Sequence, residues 1–227
     1  MEQKQRSPWF YVGIGCLALL VAALGAVAAL GTLGYRKVRE MEAQMKDPVA
    51  RSREARRLLG AEDLPEGYHP MAAFRIPLVM EMAMLSDAAP EPDGQPGKHP
   101  RNLFVYVNAF TAGADQQNLR DYLEGKRDDA EVLHRSGVDL ERREVLRRGT
   151  LARADGRLRY VVQRGDVVMQ GKRRPGLTTL GVFECGDTRL RMGIWTGPDP
   201  GNDALAGSLA DEAVIGPFFA HFKPCGS

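Results

Sequence analysis

The sequence predicts an α+β protein: one mainly antiparallel β-sheet packed by helices, preceded by a single transmembrane helix. Three observations carry that expectation. Residues 7–35 contain no Asp, Glu, Lys or Arg. Beyond them, apolar runs alternating with period two recur between turn-rich stretches, as half-buried strands require. Asp155-Gly156 and Gly186-Asp187 each separate two such runs, and steps of this type favour tight hairpins between antiparallel strands.

As a helix, residues 10–34 would extend roughly 37 Å, against a hydrocarbon layer of about 30 Å. The run lacks the polar stripe of a surface helix. Trp9, Phe10 and Tyr11 at one end and Tyr35 at the other have rings that settle at headgroup level. Residues 10–35 are therefore expected to anchor the chain in the lipid bilayer, with 1–9 as a short tail. The rival is a cleaved signal peptide, since Ala26-Val27-Ala28 follows the basic Lys4 and Arg6. The product would then be an exported soluble protein. The apolar run is longer than an ordinary signal core and continues past that site, which favours the anchor. A lipidated Cys16 is set aside because most of the run follows it. Ala18, Ala22 and Ala26, with Gly25 and Ala29, place small residues four apart, the spacing of a homodimer seam between membrane helices. Many anchors are Ala- and Gly-rich without one.

The chain has 227 residues and a formal net charge of +2. That leaves length for one domain with its own core after the anchor, and a charge too near neutral for nucleic-acid binding. Cys16 lies in the anchor, so Cys185 and Cys225 are the disulfide candidates of the soluble part. Two separate buried thiols are the alternative. Basic residues after the anchor (Arg36, Lys37, Arg39, Lys46) outnumber those before it and favour a cytoplasmic domain. The cysteine pair and the signal-anchor-like start favour the exported side, which is the expectation adopted.

Residues 36–60 read as a charged helical stalk, a solvated spacer broken near Asp47-Pro48 and closed by Gly60. The soluble domain is then 61–227. In residues 74–84 every even position is large and apolar, from Phe74 and Ile76 to Met82 and Met84, so a strand with one buried face is expected, near an edge because of Pro77. Residues 87–101 form a Pro/Gly-rich loop. Residues 103–110 are apolar almost throughout and read as a central strand covered on both faces. Asp115 can cap a helix carrying Leu119, Tyr122 and Leu123 and ending at Gly125; a second helical fragment is expected around residues 129–135. Two hairpins follow, 145–153 with 158–164 and 178–185 with 188–196, joined by a basic tip at 171–176. Leu158, Tyr160 and Val162 share one face, as do Leu190, Met192 and Ile194. Ser208 with Asp211 opens a last helix whose Val214, Ile215, Phe218, Phe219 and Phe222 pack on the sheet, kinked or restarted at Pro217. The sum is five to seven strands with helices against one face. The order of elements resembles small α/β/α sandwiches of exported accessory domains, a likeness of architecture from which no function follows.

Signatures of chemistry are missing. Gly165 to Lys172 has the wrong spacing for a phosphate loop, and Arg173 stands where Ser or Thr would hold magnesium. His69, His99, His134 and His221 fall in unrelated elements, not one turn apart as zinc peptidases need. Ser208 sits in a helix cap, not a nucleophile elbow. Asp199, Asn202 and Asp203 lack the ligand order of a calcium loop. Three even-numbered methionines have no His or Cys beside them to suggest copper. Cys225 with His221 one turn before it is the closest approach to a nucleophile and its base. No catalytic residue, cofactor or metal is thus assigned. The expected function is a non-catalytic binding or scaffold module at the cell envelope with a protein partner there; the alternative is an envelope enzyme whose site has no motif.

Overall fold

Seven strands form one antiparallel sheet in the computed structural model, which describes residues 46–77, 79–110, 113–127, 141–169, 172–201 and 204–226. The expected membrane helix, the stalk up to residue 45 and the helical fragment near 129–135 lie outside these residues. Among the described residues no helix is long and apolar enough to cross a membrane. In chain order the elements are α1 (Pro48–Leu59), β1 (His69–Ile76), β2 (Met80–Ser86), β3 (Leu103–Phe110), α2 (Gly113–Leu123), β4 (Glu141–Arg153), β5 (Gly156–Met169), β6 (Lys172–Glu184), β7 (Arg189–Pro198) and α3 (Glu212–Ala220). The strands lie in the order β1-β2-β3-β7-β6-β5-β4.

Helices cover both faces, not the one expected. On one face α1 and α3 close a core with Phe104, Tyr106, Leu158, Tyr160, Phe183 and Trp195. Its aromatic rings interlock: Phe104 stacks on Phe222 at 4.8 Å and Trp195 on Phe218 at 3.7 Å. On the other face α2 places Leu119, Tyr122 and Leu123 against Val161, Leu180, Leu190 and Met192. The Tyr122 hydroxyl, buried with its ring, donates to Gln163 Oε1 at 2.8 Å, and Gly125 ends the helix in the left-handed conformation. The helix begins at Gly113, so Asp115 lies in its first turn and does not cap it.

Residues 48–59, expected as part of a solvated stalk, belong to the core. Asp47 caps α1 by accepting from Val49 N at 2.9 Å, and Pro48 occupies a first-turn position that needs no amide donor. Ala55, Leu58 and Leu59 are buried, and so is Arg51, at 2% exposure. Arg51 Nε donates to the Pro70 carbonyl at 2.8 Å and Nη2 to the Gly94 carbonyl at 2.7 Å, tying helix, first strand and Pro-rich loop together. Gly60 closes α1 at φ 60, and Leu59 O accepts from Lys223 N at 2.9 Å.

Three further expectations are corrected. The single strand over 74–84 is the hairpin β1–β2, turned at Pro77, with Ile76 opposite Met80. The buried positions are Ala73, Ala83, Leu85 and Ser86, while Phe74, Ile76, Met80, Met82 and Met84 are half-buried or exposed. In β3, Phe104, Tyr106 and Asn108 are buried and the opposite face is only half-covered. The basic tip over 171–176 is mostly strand, because β5 and β6 stay in register out to Met169 and Lys172. β7 ends at Pro198 opposite Gly176, so Pro175 lies beyond the β6–β7 ladder, where its missing donor costs no bond of that ladder. The hairpin turns at Asp155-Gly156 and Gly186-Asp187 form as expected.

Candidate functional site

A cleft of about 570 Å³ opens beside α3. Its floor is aromatic: Tyr68 precedes β1, Trp195 comes from β7 and Phe218 from α3. The face-to-face stacking of Trp195 on Phe218 leaves both rings almost wholly buried, at 4% and 6% exposure. Tyr68 packs edge-on against both and is the half-exposed member. Its hydroxyl accepts from Trp195 Nε1 at 2.8 Å. Pro65, Pro198, Pro200 and Pro217 wall the cleft. Pro217 sits inside α3 without interrupting it, on the exposed side, where one lost helical hydrogen bond is cheapest.

The loop between β7 and α3 forms the opposite wall, and hydrogen bonds hold its residues. Asp211 caps α3, accepting from Ala213 N at 3.0 Å and from Gly207 N at 2.8 Å. Those two amides lower its carboxyl pKa. The helix thus begins at Glu212, and Ser208 belongs to the preceding turn. The buried Thr179 hydroxyl donates to the Leu209 carbonyl at 2.6 Å and fixes that wall to β6. Gly197 has no room for a side chain, because a Cβ there would lie 2.1 Å from Asn102 Oδ1. Asn102 can therefore cross the strand end and donate through Nδ2 to Asp87 Oδ2 at 2.8 Å.

Glu66, Arg101, Asn102, Ser208 and His221 are the polar side chains of the lining, beside the Tyr68 hydroxyl. Of these, Glu66, Arg101 and His221 are exposed. Burial pushes the Tyr68 phenol up to about 12, despite the indole hydrogen bond that pulls it down, so it stays neutral near pH 7. The Ser208 hydroxyl donates to the Leu205 carbonyl at 2.7 Å and accepts from Ala210 N at 3.1 Å, which commits it to the turn. Among the described residues no His/Cys/Asp/Glu cluster is arranged to hold a metal ion.

Cys185 and Cys225 are joined in a disulfide, their Cα atoms 5.1 Å apart. Cys225 is therefore no thiol nucleophile, although His221 reaches the cleft. Neither His69 nor His99 lines this cleft, and His134 lies outside the described residues. Sequence reasoning missed the cleft. Its parts were legible only as turn prolines and core aromatics, in segments more than a hundred residues apart.

Fold and cleft together define an antiparallel, three-layer α+β domain with an aromatic-floored, proline-walled groove. No protein-family model matches the chain, and the comparison with curated proteins finds no similar sequence.

Proposed function

We propose that this chain is a single-pass membrane-anchored binding module, held in the bilayer by residues 10–35. Its domain stands on the exported side, and its cleft takes an extended, proline-containing segment of an envelope protein. The observation that supports this reading is the cleft itself: aromatic and proline rings set among polar rim groups, with Ser208 and Cys225 both chemically committed elsewhere. Preformed aromatic grooves suit extended proline-rich segments, which lose little conformational entropy on docking. Glu66 and Arg101 at the rim add charge selection. The disulfide supports an oxidising surrounding.

The test uses the full chain in detergent micelles carrying Trp9→Phe, which leaves Trp195 as the single tryptophan of the two. Titration with proline-containing decapeptides should change Trp195 emission saturably, and Arg101→Glu should alter which peptides bind. Turnover of a small substrate that His221→Ala abolishes, with no peptide response, would overturn the non-catalytic reading.

A further inference from the structure

The two edges of the sheet are built differently. β4 has register irregularities at Arg142/Glu144 and Val145/Arg147, and it carries Arg147, Arg148 and Arg153. Bulges and charges of this kind discourage an edge from pairing. β1 has one irregularity, between Pro70 and Ala72, and then runs in register with β2 from Ala72 to Ile76. The only charge in that stretch is Arg75, which Glu81 engages at 2.9 Å. Strand alternation puts Ala72, Phe74 and Ile76 on one face. Ile76 is 36% exposed and Val79, in the turn beyond, 56%. Outside the β1–β2 ladder, the backbone hydrogen bond of this stretch among the described residues is the turn bond from Val79 N to Ile76 O.

We propose that β1 pairs antiparallel with β1 of a second copy of this chain, joining two sheets across a two-fold axis. With the axis at Phe74, the two Phe74 rings meet, Ala72 faces the second copy's residue 76, and Ala73 faces its residue 75. The stretch is self-complementary: apolar side chains meet on one face, and on the other no arginine opposes another. An axis normal to the sheet also leaves α1 of both copies on the same side, so both leading segments can enter one bilayer. Five residues a side bury less than the roughly 1,600 Å² of a stable interface. Pairing is therefore concentration-dependent, and confinement of both copies to a membrane strengthens it.

The test uses full-length chain with Cys16→Ser in lipid vesicles. Added Phe74→Cys should cross-link to itself under mild oxidation much faster than Thr150→Cys on β4. In micelles, sedimentation over a dilution series should show monomer–dimer exchange. Phe74→Lys should raise the dissociation constant about tenfold or more, since the two lysines then stand directly opposite and repel; Ile76→Lys, as a second variant, sets a charge against the second copy's Ala72 and should weaken pairing too, and thermal melts verify that both fold. Equal cross-linking at 74 and 150, a strictly monomeric chain, or a dimer indifferent to both lysines overturns the proposal, the last placing association elsewhere, as in the membrane helix. Cross-linking of the Phe74→Cys variant in cells to a different protein, without self-linkage, overturns it in favour of another partner. Peptide response at Trp195 is unaffected by Phe74→Lys, so the cleft reading and this one fail separately.

Discussion

Replacing Cys185 and Cys225 together by alanine is expected to lower stability by about 4 kcal/mol. The bond closes a loop with a sequence separation of 40, and the chain-entropy relation gives about 4 kcal/mol at 25 °C for a loop of that length. The native contacts beside the bond should survive its loss. Arg153 Nη1 donates to the Phe219 carbonyl at 2.6 Å, and Arg153 Nε holds Asp155 at 3.0 Å. Lys223 N donates to Leu59 O at 2.9 Å. The effect therefore falls chiefly on the unfolded chain, which gains freedom. For a domain of this size about 1 kcal/mol moves the melting midpoint by about 2–4 °C, so the midpoint should drop by about 8–16 °C. Circular dichroism melts of the full chain in micelles, in a Cys16→Ser background, measure it; reductant added to that parent should reproduce the shift. A double variant melting within about 2 °C of the parent would refute the reasoning, because the unfolded chain would then already hold residue 225 near the β6–β7 hairpin.

Arg51→Met should cost about 2–4 kcal/mol in urea denaturation, by stranding the Pro70 and Gly94 carbonyls that the guanidinium satisfies. Arg51→Lys, with one compact ammonium, should fall between the two. Gly60→Ala should cost about 2 kcal/mol or more, since its Cβ would lie 2.2 Å from Lys223 O at a positive φ. Gly67→Ala, also at positive φ but in open space, should cost only about 1 kcal/mol. Stability should fall as pH rises from about 10 towards about 12. The Tyr68 phenol is raised to about 12 in the fold, so its neutral form contributes fully below the unfolded value near 10 and is lost above it. Tyr68→Phe should flatten that slope in part, Tyr106 being raised too by its burial; an unchanged urea midpoint profile between pH 9 and 12 in that variant would contradict the assignment.

The hairpins were legible because Asp155-Gly156 and Gly186-Asp187 are local signals, and their strands alternate cleanly. The core faces of β5, β7 and α3 followed from the same alternation and from helical spacing. The turn at Pro77 was hidden because apolar residues keep even parity straight across it, so one strand and a hairpin look alike in the sequence. α1 was misread as a solvated stalk because its buried contribution is an arginine and three small or aliphatic side chains among many charges. A guanidinium that finds two carbonyls far along the chain leaves no periodic trace. The cleft was invisible for the same reason: Tyr68, Trp195 and Phe218 meet only after β1, β7 and α3 are in place. The Cys185–Cys225 bond could be anticipated by counting, since Cys16 was already spoken for.

The burial of α1 also sets a leash length. With the helix locked into the domain from Pro48 onward, residues 36–47 are the chain left between the proposed anchor and the folded body, at most roughly 40 Å when fully drawn out. On the anchoring proposed above, that lead would set how far from the lipid both the groove and the β1 edge can reach.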